Sequence, residues 1–412
     1  MRVLYIVHQF FPEFESGTER VTLRLARMMQ RAGHHAQVLA CTLQRGRFQG
    51  QPTPEIPGAL SGVVDGVPVT MLDRASLPAG AEVSFDVARP QEQAIGRWLQ
   101  QQRFDLAHVL HTMRMASAVA AVQKAALPMV LTLTDFFLPC FRINLIDLEG
   151  QLCQGPEGGR RCQARCASPG WPANMLTERH LQARALIDAA AVCVAPSAYA
   201  AARLQAAFEG VRFQVLAHGV DVLARPAAAV RAAAMDVVTF GFIGSILPAK
   251  GLHILLQALA AVPDLKLSLK VAGGHHGDAA YRQQIEALVA ADPRVQMLGQ
   301  LSADEVATTM AGLDALCIPS LVPESFSLVL HECAAASVPS IVSGLGAPAD
   351  LINRDGGGCV VPAGDVAAWA SALRNATLRP ELLAQWRSHV RPPQRIEEEA
   401  FLYESLYRGA LC

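Results

Sequence analysis

Short apolar runs alternate with segments of helical period along most of this chain. Residues 3–7 form an unbroken apolar run, residues 18–32 repeat apolar positions at helical spacing, and residues 36–40 are apolar again but for Gln37. Runs of that length suit strands covered on both faces, so the opening predicts the β-α-β start of a doubly wound parallel sheet. Further strands are expected at residues 106–110, 129–133, 192–195 and 214–216, whereas Arg45 to Pro90 shows no regular pattern and reads as variable loop. Residues 222–236 turn Ala-, Arg- and Pro-rich and read as a linker. A second alternation follows, with strands at 238–243, 268–272, 295–297, 315–318 and 338–342 and helices at 252–260, 280–290 and 325–336. Residues 394–411 keep helical apolar spacing at Ala400, Phe401, Tyr403, Leu406 and Tyr407, and are expected to cross back onto the first half and brace the hinge. The fold class expected is α/β. Two Rossmann-like doubly wound domains face across a cleft, 1–222 with the tail 394–412 and 236–390.

Composition narrows the function. The chain has 412 residues, 51% of them hydrophobic and 17% charged, with a net charge of -1. That suffices for two domains with ample cores and implies neither nucleic acid nor an acidic polymer as partner. No run of eighteen uncharged apolar residues occurs, and M-R-V-L-Y-I-V-H-Q-F is too short and wrongly flanked for a signal peptide. A cytoplasmic protein is expected, with peripheral contact at the inner face of the membrane left open.

The segment 316–350 carries the strongest chemistry. Glu324 and Glu332 stand eight positions apart around a helix expected to start near Ser325. At 1.5 Å per residue they would lie about 12 Å apart, a span that suits two ends of an extended ligand. The amides of Ser325, Phe326 and Ser327 at that helix mouth would offer a seat for phosphate. Glutamates in a first turn also serve simply to cap a helix. Ser343-Gly344-Leu345-Gly346 after the next strand reads as a flexible turn at a ligand crevice.

These residues resemble the GT-B glycosyltransferases of family 4, retaining enzymes of the glycogen-phosphorylase-like superfamily that use nucleotide sugars. The resemblance rests on the Glu324 to Glu332 motif followed by C-A-A-A-S-V-P-S-I-V, on F-I-G-S-I-L-P-A-K-G at 242–251, on H-G-V-D at 218–221, and on F-x-P-E-x-x-x-G-T-E ending near Gly17. It implies that Lys250 meets the donor diphosphate, that Glu324 contacts the donor sugar and that Glu332 takes the ribose hydroxyls. It also implies that amides of Phe326, Ser327 and Leu328 face the diphosphate and that Gly17 lets the backbone approach it. Only four lysines stand against thirty-one arginines, so a lysine at this position is less easily a random basic residue. Two positions depart from the family. Ser245, counted here with the donor-binding residues, replaces the arginine of F-x-G-R, and Thr134 replaces the histidine of T-x-H-D. His111, after the preceding strand, is the candidate catalytic histidine, although a lone histidine there is more often structural.

Cys140, Cys153, Cys162 and Cys166 fall in one polar stretch, 140–166, rich in Gly and Arg. Four thiols on an irregular loop suggest structural zinc, with an iron–sulfur cluster as rival; the twelve-, eight- and three-residue gaps lack a C-x2-C pair, which leaves metal-free thiols or disulfides open. No catalytic metal is expected, since no D-x-D pair stands at a strand end. The leading reading is a retaining glycosyltransferase acting on a glycan, lipid-linked or small-molecule acceptor in surface polysaccharide or glycoconjugate synthesis. A catalytically silent binding subunit and a nucleotide-sugar epimerase are the alternatives.

Overall fold

The computed structural model describes residues 1–44, 46–221 and 237–411. They divide into two compact units, Met1–His218 with Ile396–Cys412, and Gly219–Arg395. The linker expected at 222–236 lies outside the described residues.

In the first unit the strands are β1 (Arg2–Ile6), β2 (His35–Thr42), β3 (Gln51–Pro52), β4 (Leu60–Val64), β5 (Val67–Asp73), β6 (Leu106–Val109), β7 (Met129–Thr132), β8 (Val192–Ala195) and β9 (Gln214–Val215). They form one sheet in the order β3-β4-β5-β2-β1-β6-β7-β8-β9, parallel from β5 to β9. Val3, Leu4, Tyr5 and Ile6 of the central β1 are wholly buried, as an unbroken apolar run in a doubly covered sheet should be.

The stretch 45–90 is not an irregular loop. β4 and β5 make an antiparallel hairpin in which Val64 pairs with Val67 across Asp65-Gly66, both at positive φ (48° and 81°). That dipeptide is a strong hairpin signal. Its flanks hid it, because β4 is only half-buried and Pro68 interrupts the β5 run.

The tail forms the helix Ile396–Ala410 and does return to the first unit, packing on the Gly17–Arg31 helix and on β7. It is held by buried hydroxyls and by the buried imidazoles of His108 and His218, the latter with Nδ1 3.0 Å from Glu399 Oε1. Tyr407 Oη lies 2.6 Å from His108 Nδ1 and 3.2 Å from Tyr5 Oη, while His108 Nε2 lies 2.7 Å from Thr132 Oγ1, which meets Tyr403 Oη at 2.9 Å. Burial pushes the His108 imidazole down to about 3, so the network around it is one of neutral hydrogen bonds.

The second unit holds β10 (Val238–Ile243), β11 (Leu267–Ala272), β12 (Val295–Gly299), β13 (Ala315–Ile318), β14 (Ser340–Ser343) and β15 (Gly358–Val361), all parallel in the order β12-β11-β10-β13-β14-β15. Side chains alternate between two cores. Phe240, Ala315, Cys317 and Ile341 face Leu255, Leu259 and Trp369, while Leu316, Ile318 and Val342 face Leu330 and Cys333. The strand order reverses between β10 and β13, and loops leaving the carboxyl ends of such a pair border a crevice. No helix among the described residues is long and apolar enough to cross a membrane.

Replacing Tyr407 by Phe strands a buried His108 nitrogen. Urea denaturation should show a loss of about 1–3 kcal/mol. Tyr403→Phe should cost less, because Thr132 keeps its bond to His108; equal stability of Tyr407→Phe and wild type would contradict the role given to the network.

Candidate functional site

Three loops at the carboxyl ends of β10, β13 and β14 converge on one carboxylate. After β10, Gly244 and Ser245 lead into a 3-10 turn, Pro248–Lys250, and Gly251 starts the Leu252–Ala260 helix. Ile246 is fully buried and its amide donates to the Gly274 carbonyl at 2.9 Å, which fixes the loop in which Ser245 stands. Gly251 passes so close to the β13 loop that a Cβ there would sit 1.9 Å from the Pro319 carbonyl oxygen. The Leu321 amide closes the contact by donating to the Ala249 carbonyl at 2.8 Å.

Lys250 and Glu324 meet as a result. Lys250 Nζ donates to Glu324 Oε1 at 2.7 Å, and Ser320 Oγ donates to the same oxygen at 2.5 Å. The Glu324 backbone is held from the other side, its carbonyl accepting from the Ala347 amide at 2.9 Å. At Gly346 a Cβ would lie 2.4 Å from the Glu324 nitrogen. The Glu324 side chain is 11% exposed and that of Lys250 36%. Burial pushes the Glu324 carboxyl up, but the Lys250 charge, with hydrogen bonds from Lys250 and Ser320, outweighs it and holds the group below its ordinary value. Glu324 is therefore a carboxylate at neutral pH.

The helix expected from Ser325 begins at Leu328 and ends at Ala335. Ser327 takes a left-handed φ of 73°, which halts helical geometry there. His331 fixes this turn, with Nδ1 2.9 Å from the Ser327 carbonyl and its ring stacked on the buried Phe326 at 3.9 Å. Ser325, Phe326 and Ser327 thus lie in a loop before the helix, and the amides its first turn leaves without intrahelical partners are those of Leu328, Val329 and Leu330. Glu332 is half-buried within that helix. The 12 Å rise inferred from eight helical residues does not hold, since only 328–332 are helical between the two glutamates.

In the first unit, Gly17 is exposed at the first position of the Gly17–Arg31 helix, behind a capping box of Ser16 and Glu19. His111 is buried after β6. Its Nδ1 accepts from the Met113 amide at 3.2 Å, so Nε2 carries the proton that meets Asp135 Oδ2 at 2.8 Å; Asp135 Oδ1 in turn accepts from the Phe137 amide. His8 stacks on His111 at 3.8 Å, and burial drives its imidazole well below the usual range. Thr134 donates to the Leu110 carbonyl and meets Thr18 at 3.0 Å. Asp135 and His8 were not anticipated, and neither was Ser320; the T-D pair at the end of β7 was the only hint of the first.

Cys140, Cys153, Cys162 and Cys166 line one small cavity in this unit. They are free thiols, and among the described residues no three or more His, Cys, Asp or Glu stand as a ready ligand cage.

Comparison with known proteins agrees with this architecture. Residues 16–219 match the family described as "Glycosyl transferase 4-like domain" and residues 237–377 match "Glycosyl transferases group 1". A phosphatidyl-myo-inositol mannosyltransferase of Mycobacterium leprae is 35% identical over 152 residues, 35% of this chain and 39% of that protein. A D-inositol 3-phosphate glycosyltransferase of Saccharomonospora viridis is 30% identical over 185 residues, 42% of each. The chain thus spans about two-fifths of the length of the curated relatives it matches. Anabaena HepE, solved with UDP and glucose, superposes with a TM-score of 0.69 at 18% identity, covering 99% of this chain and 100% of that one. WaaG, a glycosyltransferase involved in lipopolysaccharide biosynthesis, gives 0.66 at 16%, with 99% and 100% covered. These likenesses show the GT-B fold.

Lys250→Met leaves the buried Glu324 carboxylate without its counter-charge. At about pH 7 the loss of stability should be about 1–2 kcal/mol, between that of an exposed and a buried pair. Because the folded Glu324 carboxyl lies below its unfolded value, the contribution is full above the ordinary carboxylate range and fades as pH falls through the folded value. Urea titrations from about pH 7 towards about pH 4 should therefore show the variant's deficit shrinking. A deficit that grows in acid would contradict the pairing.

Proposed function

The chain belongs to the group 1, family 4-like glycosyltransferases, and on that premise we propose that it transfers a sugar from a nucleoside diphosphate donor to a glycan, lipid-linked or small-molecule acceptor, with retention of anomeric configuration. Its place would be the synthesis of a surface polysaccharide or glycoconjugate. The observation that carries this reading is the Lys250–Glu324 pair at the strand-order reversal between β10 and β13.

Glycosyl transfer leaves negative charge growing on the β-phosphate as the sugar becomes oxocarbenium-like, so preorganised positive charge there lowers the barrier. An ammonium has three donors. Lys250 spends one on Glu324, and the other two suit phosphate oxygens. Glu324 Oε1 is occupied by Lys250 and Ser320, so Oε2 is the oxygen assigned to a donor-sugar hydroxyl. Glu332 is assigned to the ribose hydroxyls and the amides of 325–328 to the diphosphate, although only that of Leu328 belongs to the helix itself. By the same family resemblance Gly17 is assigned to the diphosphate; His111, placed after β6 where the family's own histidine position holds Thr134, is assigned to the reacting sugar. Ser245 cannot supply the second positive charge, which places more of the load on Lys250. The scheme invokes no divalent metal. Nucleotide sugars are cytoplasmic donors, so we assign the protein to the cytoplasm, at the inner membrane face where the acceptor is lipid-linked.

Incubation with a panel of nucleotide sugars should give transfer or slow donor hydrolysis by the wild type. Lys250→Ala and Glu324→Gln should lower kcat by about 100- to 1000-fold. Proton NMR should show the product in the donor's anomeric configuration. Wild-type rates in both variants, or an inverted product, would overturn the proposal. Donor binding by the wild type without any turnover would make the chain a binding subunit.

A further inference from the structure

The insertion that follows β7 plays no part in the scheme above, yet its polar groups are organised. Cys140 lies at its start, Cys153 beyond a bridge between Ile146 and Leu152, and Cys162 and Cys166 on the short helix Arg160–Cys166. Their common cavity measures about 30 Å³, enough for a very small guest.

One of these sulfurs is held by backbone on both sides: the Gly155 amide donates to Cys153 Sγ at 3.4 Å, and the Cys153 thiol lies 3.5 Å from the Gly155 carbonyl oxygen. Ile143 and Leu145 hold left-handed backbone in the turn beside Cys140, at φ 69° and 54°, an uncommon conformation for branched side chains.

A buried cation lies beside Cys162. Arg179 is 4% exposed, and its guanidinium donates to the carbonyls of Val83, Leu138 and Phe137 beside the rings of Phe85 and Phe137. Among the described residues no carboxylate pairs with it, and with Cys162 it lines a second small cavity. A charge so buried calls for a counter-charge. The other arginines near the cavity are committed elsewhere: Arg165 to Asp147 and Glu149, Arg161 to Glu157, Arg203 to the Cys153 carbonyl and Arg142 to the Ile146 carbonyl. What the cavity offers a guest is therefore sulfur, which suits a soft cation better than an anion.

We propose that Cys140, Cys153, Cys162 and Cys166 bind one zinc ion as a tetrathiolate site. Binding forms four zinc–sulfur bonds and releases four thiol protons to solvent, and the side chains turn inward to reach bond lengths of about 2.3 Å. The resulting net negative charge gives Arg179 its partner. Arg179 in turn holds the carbonyls of Phe137 and Leu138, directly after the Asp135 that orients His111, so the metal would brace that part of the first unit.

The test is elemental analysis of the whole chain purified without a metal-affinity tag. About one zinc per chain is expected, without iron, and a mercurial thiol reagent should release it in proportion to four modified thiols. The double variant Cys153→Ser/Cys166→Ser should lose at least about nine-tenths of the zinc after dialysis, while Cys359→Ser, a cysteine of the other unit, keeps it. Wild-type protein without stoichiometric zinc, iron with acid-labile sulfide in its place, or zinc retained by the double variant would each overturn the proposal; the first two readings need no variant to fold.

Discussion

A carboxylate cannot be buried beside a crevice without a cation to meet it, and in this chain that constraint is answered by Lys250 against Glu324. The pairing depends on backbone more than on the side chains themselves. Parallel β10, β13 and β14 deliver their carboxyl-end loops to the same side of the sheet, and two glycines let those loops touch: Gly251 against Pro319 and Gly346 against Glu324. Any larger residue at either position would separate the loops and so the charges. The lysine is thereby the counter-ion of Glu324, and the pair uses one of its three ammonium donors.

The first unit solves its polar problem differently. His108 is buried among Tyr407, Thr132 and Tyr5 and remains neutral, so this cluster seats the terminal helix through uncharged hydrogen bonds, while Glu399 of the same helix meets the buried His218 at 3.0 Å. His111 and Asp135 stand one strand end away, with the tautomer of His111 fixed by the Met113 amide. Arg179, buried with no carboxylate partner among the described residues, lines a small cavity together with Cys162. Networks of this kind give the unit a well-defined interior in which His111 is held in one orientation.

The parts of this architecture readable from sequence are those set by local pattern. The apolar runs at 192–195, 238–243 and 315–318 and the helix 252–260 occupy the positions expected, because strands buried on both faces and a helix with one apolar face leave unambiguous periodicity. Glu324 is legible from its place at the mouth of an expected helix, and Lys250 from motif resemblance. What escaped notice was set by contacts distant along the chain. The start of the 328–335 helix follows from Ser327 and the Phe326–His331 stack, the half-buried β4–β5 hairpin lacks clean alternation, and Ser320, Asp135 and His8 acquire meaning only once neighbouring strands bring them to Glu324 and His111. The cysteine spacing shows no metal motif; folding is what brings the four thiols to one cavity.

The scarcity of lysine gives the central claim a direct test, since only four lysines occur in the chain. In NMR spectra of protein labelled at lysine Cε, the signal that disappears in Lys250→Arg identifies Lys250. Titration with uridine or guanosine diphosphate should shift that signal and leave the other three near their original positions. Saturation binding of the nucleotide with the Lys250 signal unmoved would contradict the account.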